Sequence, residues 1–391
     1  MNAASTPFPI TPGDWLGIVG GGQLGRMFCH AAQALGYKVA VLDPGSPCPA
    51  GVVADLHIQA DYDDEAALGR LSELCRAVTT EFENVPAASL KQLAQNSRVS
   101  PAAEAVAIVQ DRIQEKGFIV KAGVPVAPYV AIQSVDDINA APDTLFPGIV
   151  KVARLGYDGK GQARVQNRQE ALAAFASFNN ASCVLEALMP LAFEISVVMA
   201  RGFDGQCVVY PPAANEHREG ILAISTVADD GGNAEINRQA TDAALQIVKA
   251  LDYYGVLCVE FFVLDDGRLV ANEVAPRPHN SGHYTIDACA TSQFEQQARV
   301  MAGLPLGSTH CLCPSIMLNI LGDVWFDSQT GLMREPDWQG VLQVSMAKLH
   351  LYGKAEARRG RKMGHVTILG STLAEAQQGA AQVAAALGIA Y

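Results

Sequence analysis

The chain has 391 residues, 49% apolar and 17% charged, so it is long enough for two or three domains and is neither disordered nor collagen-like. Acidic residues outnumber basic ones 40 to 28, a net charge of −12 with no long basic block, which excludes nucleic acid as a partner and admits a small anion only where basic side chains cluster locally. No apolar run is long enough to span a bilayer and residues 1–11 lack a leader pattern, so neither membrane insertion nor secretion is expected. The nine cysteines form no CxxC, and several fall in predicted strands. They read as reduced core thiols of a cytoplasmic protein.

In chain order, Trp15–Val19 is a short apolar strand running into a glycine cluster. A helical pattern with Leu24, Met27, Phe28, Ala31 and Leu35 on one face follows, stopped by Gly36, and then a strand over 38–42. Strand and helix continue to alternate through a helix start at 61–64 and a strand at 77–80. This is the pattern of a parallel sheet covered by helices. A Pro/Gly-rich stretch at 122–128 marks a boundary. Beyond it, strands come in consecutive runs (147–152, 184–188, 195–200, 206–210, 221–227, 256–264) broken by one helix over 235–251, an α+β texture. A helix-like stretch spans 285–302, and the last segment holds strands and a terminal helix near 372–387. The fold class is therefore α/β followed by α+β, without internal repeats.

Gly20-Gly21-Gly22-Gln23-Leu24-Gly25 fits G-x-G-x-x-G between a strand and a helix, with Asp43 eighteen residues further on, so an NAD-dependent dehydrogenase is one reading. More informative is the stretch from Val259 to Glu273, where two apolar runs flank Asp266-Gly267, a strong hairpin signal. If that dipeptide is a two-residue loop, Glu260 falls directly opposite Glu273, with Cβ atoms roughly 4.5–5.5 Å apart. Like charges so placed repel, and a hard divalent cation would offset them. Lys151 lies in a strand just before Gly156-Tyr-Asp-Gly-Lys-Gly-Gln162, a glycine-rich loop joining two strands. It lacks the G-K-[ST] and following helix of a Walker A loop, but can form a flap over phosphates. Pro276-Arg277-Pro278-His279-Asn280-Ser281-Gly282-His283 then presents polar donors on a stiffened loop beside the acidic hairpin. The densest basic patch runs from Lys354 to Lys362, through Arg358, Arg359 and Arg361.

Together, GGGQLGRM at 20–27, GYDGKGQ at 156–162, NEVAPRPHNSGHYT at 272–285 and GRKMGH at 360–365 resemble the ATP-grasp superfamily. Within it they resemble the N5-carboxyaminoimidazole ribonucleotide synthetases of purine biosynthesis. One departure is Arg154-Leu155 before the flap, where many relatives carry Thr-Gly or similar small residues. The resemblance implies an ATP-grasp architecture with a Rossmann-like N-terminal domain (1–121), an ATP-grasp domain (122–306) and a small C-terminal domain (307–391).

The resemblance further implies an ATP-dependent carboxylating ligase. Arg112 and Lys151 would contact the ATP phosphates, with Gly156, Tyr157, Asp158, Gly159, Lys160, Gly161 and Gln162 folded over them. Glu186, Ala187, Leu188 and Met189 would line the adenine through backbone groups, Glu194 would meet the ribose, and His217 would lie nearby. Glu260 and Glu273 would hold Mg²⁺, with Mn²⁺ the alternative, and Asn272 would assist. Bicarbonate would attack the γ-phosphate to give carboxyphosphate, and the amine of 5-aminoimidazole ribonucleotide would capture the carbon. Arg277, Tyr157, Asp158 and His279 are the expected catalytic residues, Asp158 accepting the amine proton; Gln23, Lys354 and Arg361 would hold the substrate phosphate, with Glu81 toward the same cleft. A homodimer and hand-off to a separate mutase are implied as well. The rival readings are another ATP-grasp carboxylase or transformylase, and the dehydrogenase.

Overall fold

The computed structural model describes residues 9–156, 160–228, 233–327 and 330–391. Among these residues the chain forms three sheets. The first is parallel, with β1 (Trp15–Val19), β2 (Lys38–Leu42), β3 (Leu56–Ile58), β4 (Ala77–Thr80) and β5 (Arg98–Val99) in the order β3-β2-β1-β4-β5. Nearly every residue of β1, β2 and β4 is buried, because helices cover both faces and leave no polar side to the strands. The helix Gln23–Ala34 turns Leu24, Met27, Phe28 and Ala32 inward at helical spacing, and the chain reverses at Gly36, whose φ of +85° suits glycine.

The second sheet is small and antiparallel: β6 (Tyr129–Ile132), β7 (Gly148–Val152), β8 (Gln162–Val165) and β9 (Cys183–Ala187), in the order β6-β9-β7-β8. The third takes in β10 (Leu191–Arg201), β11 (Cys207–Val209), β12 (Ala213–Arg218), β13 (Ile221–Val227), β14 (Gly255–Leu264), β15 (Leu269–Ala275), β16 (Ser315–Leu321), β17 (Ala347–Leu351) and β18 (Lys362–Leu369). Their order is β15-β14-β10-β12-β13-β16-β18-β17, with β11 on β10. The last three strands extend this sheet through the β13–β16 pair, Ile224 opposite Leu318. The helix Ala234–Ala250 packs Ile236, Ala240, Ala244, Ile247 and Val248 into the core beneath β10 and β14.

Two expectations need correction. The helical stretch over 285–302 is two pieces, Thr285–Ala288 and Gln293–Ala302. Between them Cys289 is extended and bridges to Cys311, and Ser292 accepts the Glu295 N–H to start the second helix. Nor are all the cysteines core residues, since Cys207, Cys311 and Cys313 are only half-buried. No helix among the described residues is long and apolar enough to cross a membrane.

Candidate active site

The acidic hairpin pairs as expected, by a different route. Leu264 and Arg268 close a three-residue loop, the Leu264 N–H bonding the Arg268 carbonyl at 2.9 Å, with Gly267 at φ +82°. That slips the register by one residue relative to a two-residue loop. A bulge at Asn272 restores it: Phe261 faces Ala271, and Glu260 faces Glu273. Burial, reinforced by Glu273, raises the pKa of Glu260 well above the carboxylate range. Asn272 Oδ1 is buried without a hydrogen-bond partner among the described residues. Two facing carboxylates and an orphaned amide oxygen are an all-oxygen donor set that fits a hard cation. No group of three or more His, Cys, Asp or Glu side chains among the described residues could hold a metal ion, so Glu260, Glu273 and Asn272 would hold such a cation only together with phosphate or water oxygens.

Across the cavity, Lys151 on β7 donates to Glu186 on β9 at 3.0 Å, and the fully buried Lys116 stands 3.2 Å from the other carboxylate oxygen. Burial alone would raise the Glu186 pKa, but Lys151 and Lys116 outweigh it and hold the carboxylate ionised. The helix Arg112–Lys121, started by Asp111, packs against both β9 and β15 and carries three site residues on adjoining turns. Arg112 Nη1 reaches Glu273 at 3.1 Å, and Glu115 accepts the Val274 N–H at 2.7 Å. Burial pushes Glu115 up to about 7, with Glu273 adding to the rise and Arg112 opposing it. Glu115 and Lys116 were missed from sequence. Their signal was there: they follow Arg112 at i+3 and i+4, on one helical face.

Glu194 on β10 and His217 on β12 form an ion pair at 2.9 Å. Burial disfavours the His217 cation, yet the bond to Glu194 and the field of Glu260 raise its pKa overall. Of the segment expected to line a base, the Ala187 and Leu188 N–H groups are engaged by the carbonyls of Pro128 and Pro147, at 2.9 Å each.

The loop after β15 splits in two. Arg277 donates to Glu83 at 2.7 Å, a contact from the first domain that sequence reasoning missed; its one signal was the alternation Glu81-Phe-Glu83 after a strand. His279 Nδ1 accepts the Ser281 N–H at 3.3 Å, so the neutral ring carries its proton on Nε2, 3.5 Å from Glu260. Burial, together with the Arg277 cation, drives the His279 pKa well below its ordinary value, which keeps the ring neutral. His283, by contrast, is not presented to the site. It is fully buried, 3.2 Å from Gln293, with its ring tilted against that of His365 at 4.7 Å between centroids.

At the first domain, Glu81 accepts the N–H groups of Gly22 and Leu24 and so occupies the N-terminus of helix Gln23–Ala34. A Cβ on Gly22 would clash with Glu81 Oε1, so the glycine makes room for a carboxylate of the protein itself. Asp43 is turned inward onto the Gly21 and Gly45 N–H groups and the Tyr62 hydroxyl. The dinucleotide reading therefore loses both its phosphate seat and its ribose acid. Gln23 Oε1 instead receives Lys354 Nζ at 2.5 Å, which joins the first domain to the loop between β17 and β18. Arg361, on the same loop, donates to the Glu356 carbonyl at 2.8 Å.

Gln23, Glu81, Glu83, Arg112, Glu115, Lys151, Glu186, Glu194, His217, Glu260, Asn272, Glu273, Arg277, His279, Lys354 and Arg361 line one cavity of about 1370 Å³, whereas Lys116, Asp43 and His283 are not in its wall. Gly156, Lys160, Gln162 and Met189 are also in its wall. Gly161 is not; its carbonyl accepts the Val152 N–H at the base of the loop, at φ +70°. Tyr157, Asp158 and Gly159 lie outside the described residues.

Two antiparallel sheets closing on a cavity walled by Lys151, Arg112 and facing carboxylates define a class. The model of the ATP-grasp domain matches residues 117–294, preceded by a ribonucleotide synthetase preATP-grasp domain at 14–110 and followed by a phosphoribosylaminoimidazole carboxylase C-terminal domain at 315–379. The N5-carboxyaminoimidazole ribonucleotide synthase of Brucella melitensis is 45% identical over 92% of this chain and 97% of its own. That of Bacillus subtilis is 40% identical over 92% of both. Among solved structures, the Staphylococcus aureus N5-carboxyaminoimidazole synthetase complexed with ADP superposes with a TM-score of 0.88 at 36% identity, covering 97% of this chain and 100% of that one. The Aspergillus clavatus enzyme in complex with ADP and 5-aminoimidazole ribonucleotide gives 0.85 at 28% identity, covering 96% and 99%. The chain belongs to the N5-carboxyaminoimidazole ribonucleotide synthetase family of ATP-grasp enzymes.

Proposed function

We propose that this chain uses ATP and bicarbonate to carboxylate the exocyclic amine of 5-aminoimidazole ribonucleotide, releasing ADP and phosphate. The observation that carries this reading is the joining, in one cavity, of a wall of opposed charges to a separate basic corner. The wall is Lys151, Arg112 and the Glu260–Glu273 pair; the corner is Lys354, bonded to Gln23, with Arg361 beside it.

ATP would lie between the two sheets, with its base against Ala187, Leu188 and Met189. Of their N–H groups, those of Ala187 and Leu188 are already bonded, which leaves Met189 as the donor for a ring nitrogen. Glu194, steadied by His217, would meet the ribose. Glu260, Glu273 and Asn272 would hold Mg²⁺, which when bound neutralises charge on the transferring phosphoryl group. Arg277, aimed by Glu83, would stabilise the same group as bicarbonate oxygen attacks the γ-phosphorus. The glycine-rich loop would exclude water from the resulting carboxyphosphate, and His279, with its proton on Nε2, would donate a hydrogen bond to an anion there. Lys354 and Arg361 would hold the phosphate of the acceptor, with Glu81 at the rim. The enzyme would act as a cytoplasmic homodimer whose product passes to a separate mutase.

The test is ADP formation from ATP and bicarbonate with and without 5-aminoimidazole ribonucleotide. Turnover should require both bicarbonate and the ribonucleotide. Comparable turnover with formate and glycinamide ribonucleotide would remove the acceptor assignment.

A further inference from the structure

Beyond the hairpin, the two segments meeting at Cys289 and Cys311 make a short antiparallel contact outside the named sheets. Its flanking bonds run from the Ala290 N–H to the His310 carbonyl at 3.0 Å and from the Leu312 N–H to the Ala288 carbonyl at 2.7 Å. That pattern makes Cys289 and Cys311 a pair without direct backbone bonds between them, the position where antiparallel chains come closest, about 4.5 Å between Cα atoms. Such a separation lies inside the range that a disulfide spans, with both side chains on one face. Cys289 is 7% exposed, whereas Cys311 is half-buried on a surface segment whose next residue, Leu312, is 62% exposed. Cys313 lies one pleat further on, and its carbonyl accepts the Cys311 thiol at 3.1 Å.

We infer that Cys289 and Cys311 form a reversible cross-strand disulfide when the protein meets a small-molecule disulfide as oxidant. The half-buried Cys311, the more exposed of the two, attacks as thiolate one sulfur of the oxidant; that S–S bond breaks and the first thiol leaves, giving a mixed disulfide on Cys311. Cys289 then gives up its proton and attacks Cys311 Sγ, expelling the second thiol. Two protein thiols are oxidised, and one external disulfide is reduced to two thiols. The bond ties the end of the segment that carries His279 and Asn280 to the strand entering β16, and encloses the helix Gln293–Ala302.

The experiment incubates the full chain with glutathione disulfide and maps disulfides by mass spectrometry of unreduced peptides. A linked peptide pair containing Cys289 and Cys311 should appear, vanish after dithiothreitol, persist in Cys313→Ser, and be lost in both Cys311→Ser and Cys311→Ala. Oxidation should raise the thermal midpoint of the wild type by several degrees and leave that of the Cys311 variants unmoved. Matching midpoints of the reduced proteins establish that the variants fold. The inference is overturned if glutathione stays on Cys311 without a Cys289 link, or if Cys289 pairs with Cys313 instead.

Discussion

Glu273 answers to two neighbours at once, the Glu260 carboxylate across the hairpin and the Arg112 guanidinium at 3.1 Å. Replacing it by Gln keeps the volume and removes the charge. Turnover should fall by about 10²–10³-fold while the thermal midpoint moves little, since relief of the repulsion with Glu260 is set against loss of the ion pair with Arg112. Normal activity at ordinary Mg²⁺ concentration would dismiss the metal role. Arg361 tests the other end of the cavity. The protein carries −12, so a phosphate needs a local reversal of potential, and a guanidinium supplies it with two parallel N–H bonds. Arg361→Ala should remove a charge-assisted contact worth roughly 1.5–3 kcal/mol. That is about ten- to hundredfold in KM for the aminoimidazole ribonucleotide, with KM for ATP nearly unchanged. An equal rise in both constants would place Arg361 outside the acceptor subsite.

At the scale of an element, the acidic hairpin depends on a turn and a bulge that compensate each other. Gly267 sits at φ +82° with nothing within 4 Å of the position a Cβ would take, so a substitution there tests conformation alone. Gly267→Ala should destabilise the protein by about 1–2 kcal/mol, the cost of a left-handed non-glycine residue. Gly267→Asn should cost less, because Asn tolerates that region. Urea unfolding of the two variants decides it; equal midpoints would mean that the loop has rearranged to another turn. The bulge at Asn272 bears on function in the same geometry. Without it, the three-residue loop would set Glu260 opposite Asn272, and the facing carboxylates would be lost.

Over the whole molecule, buried titratable groups act on stability in opposite senses. Glu115 is raised from an ordinary 4.5 to about 7 by burial, with Glu273 adding and Arg112 opposing. A raised acid contributes stability that is complete below 4.5 and lost as pH climbs through about 7, on the order of 3 kcal/mol for such a shift. His283 and His365 are depressed well below 6.5, by burial first and by neighbouring histidines second, so their contribution holds above 6.5 and fades as pH falls. Between pH 5 and 7, without nucleotide or metal, the two therefore oppose each other: the histidines add stability as pH rises while Glu115 removes it. Glu115→Gln keeps an acceptor for the Val274 N–H and removes that opposing slope, so stability should rise more steeply from pH 5 to 7 in the variant than in the wild type. Urea midpoints between pH 5 and 8.5 read this directly; the same slope in both proteins would show that Glu115 does not carry it.

Local pattern by itself settled much of this protein. The strand, glycine turn and helix from Trp15 to Ala34, the apolar runs of β14 and β15 and the strand that carries Lys151 were all legible, because a few adjacent residues decide each of them. The motif at 272–285 was enough to indicate the family. Contacts between distant segments were not legible. Glu83 reaches Arg277 across 194 positions and Lys354 reaches Gln23 across 331, and no periodicity records such approaches. The glycine cluster shows the same divide. Its pattern specified a tight turn at a helix N-terminus, but only the packed structure decided that Glu81, rather than a cofactor phosphate, would occupy it. The hairpin shows it within fifteen residues. Composition indicated a turn near Gly267, while the loop length and the bulge were decided by how β14 and β15 bury their apolar faces, since a one-residue slip exchanges the buried face for the exposed one.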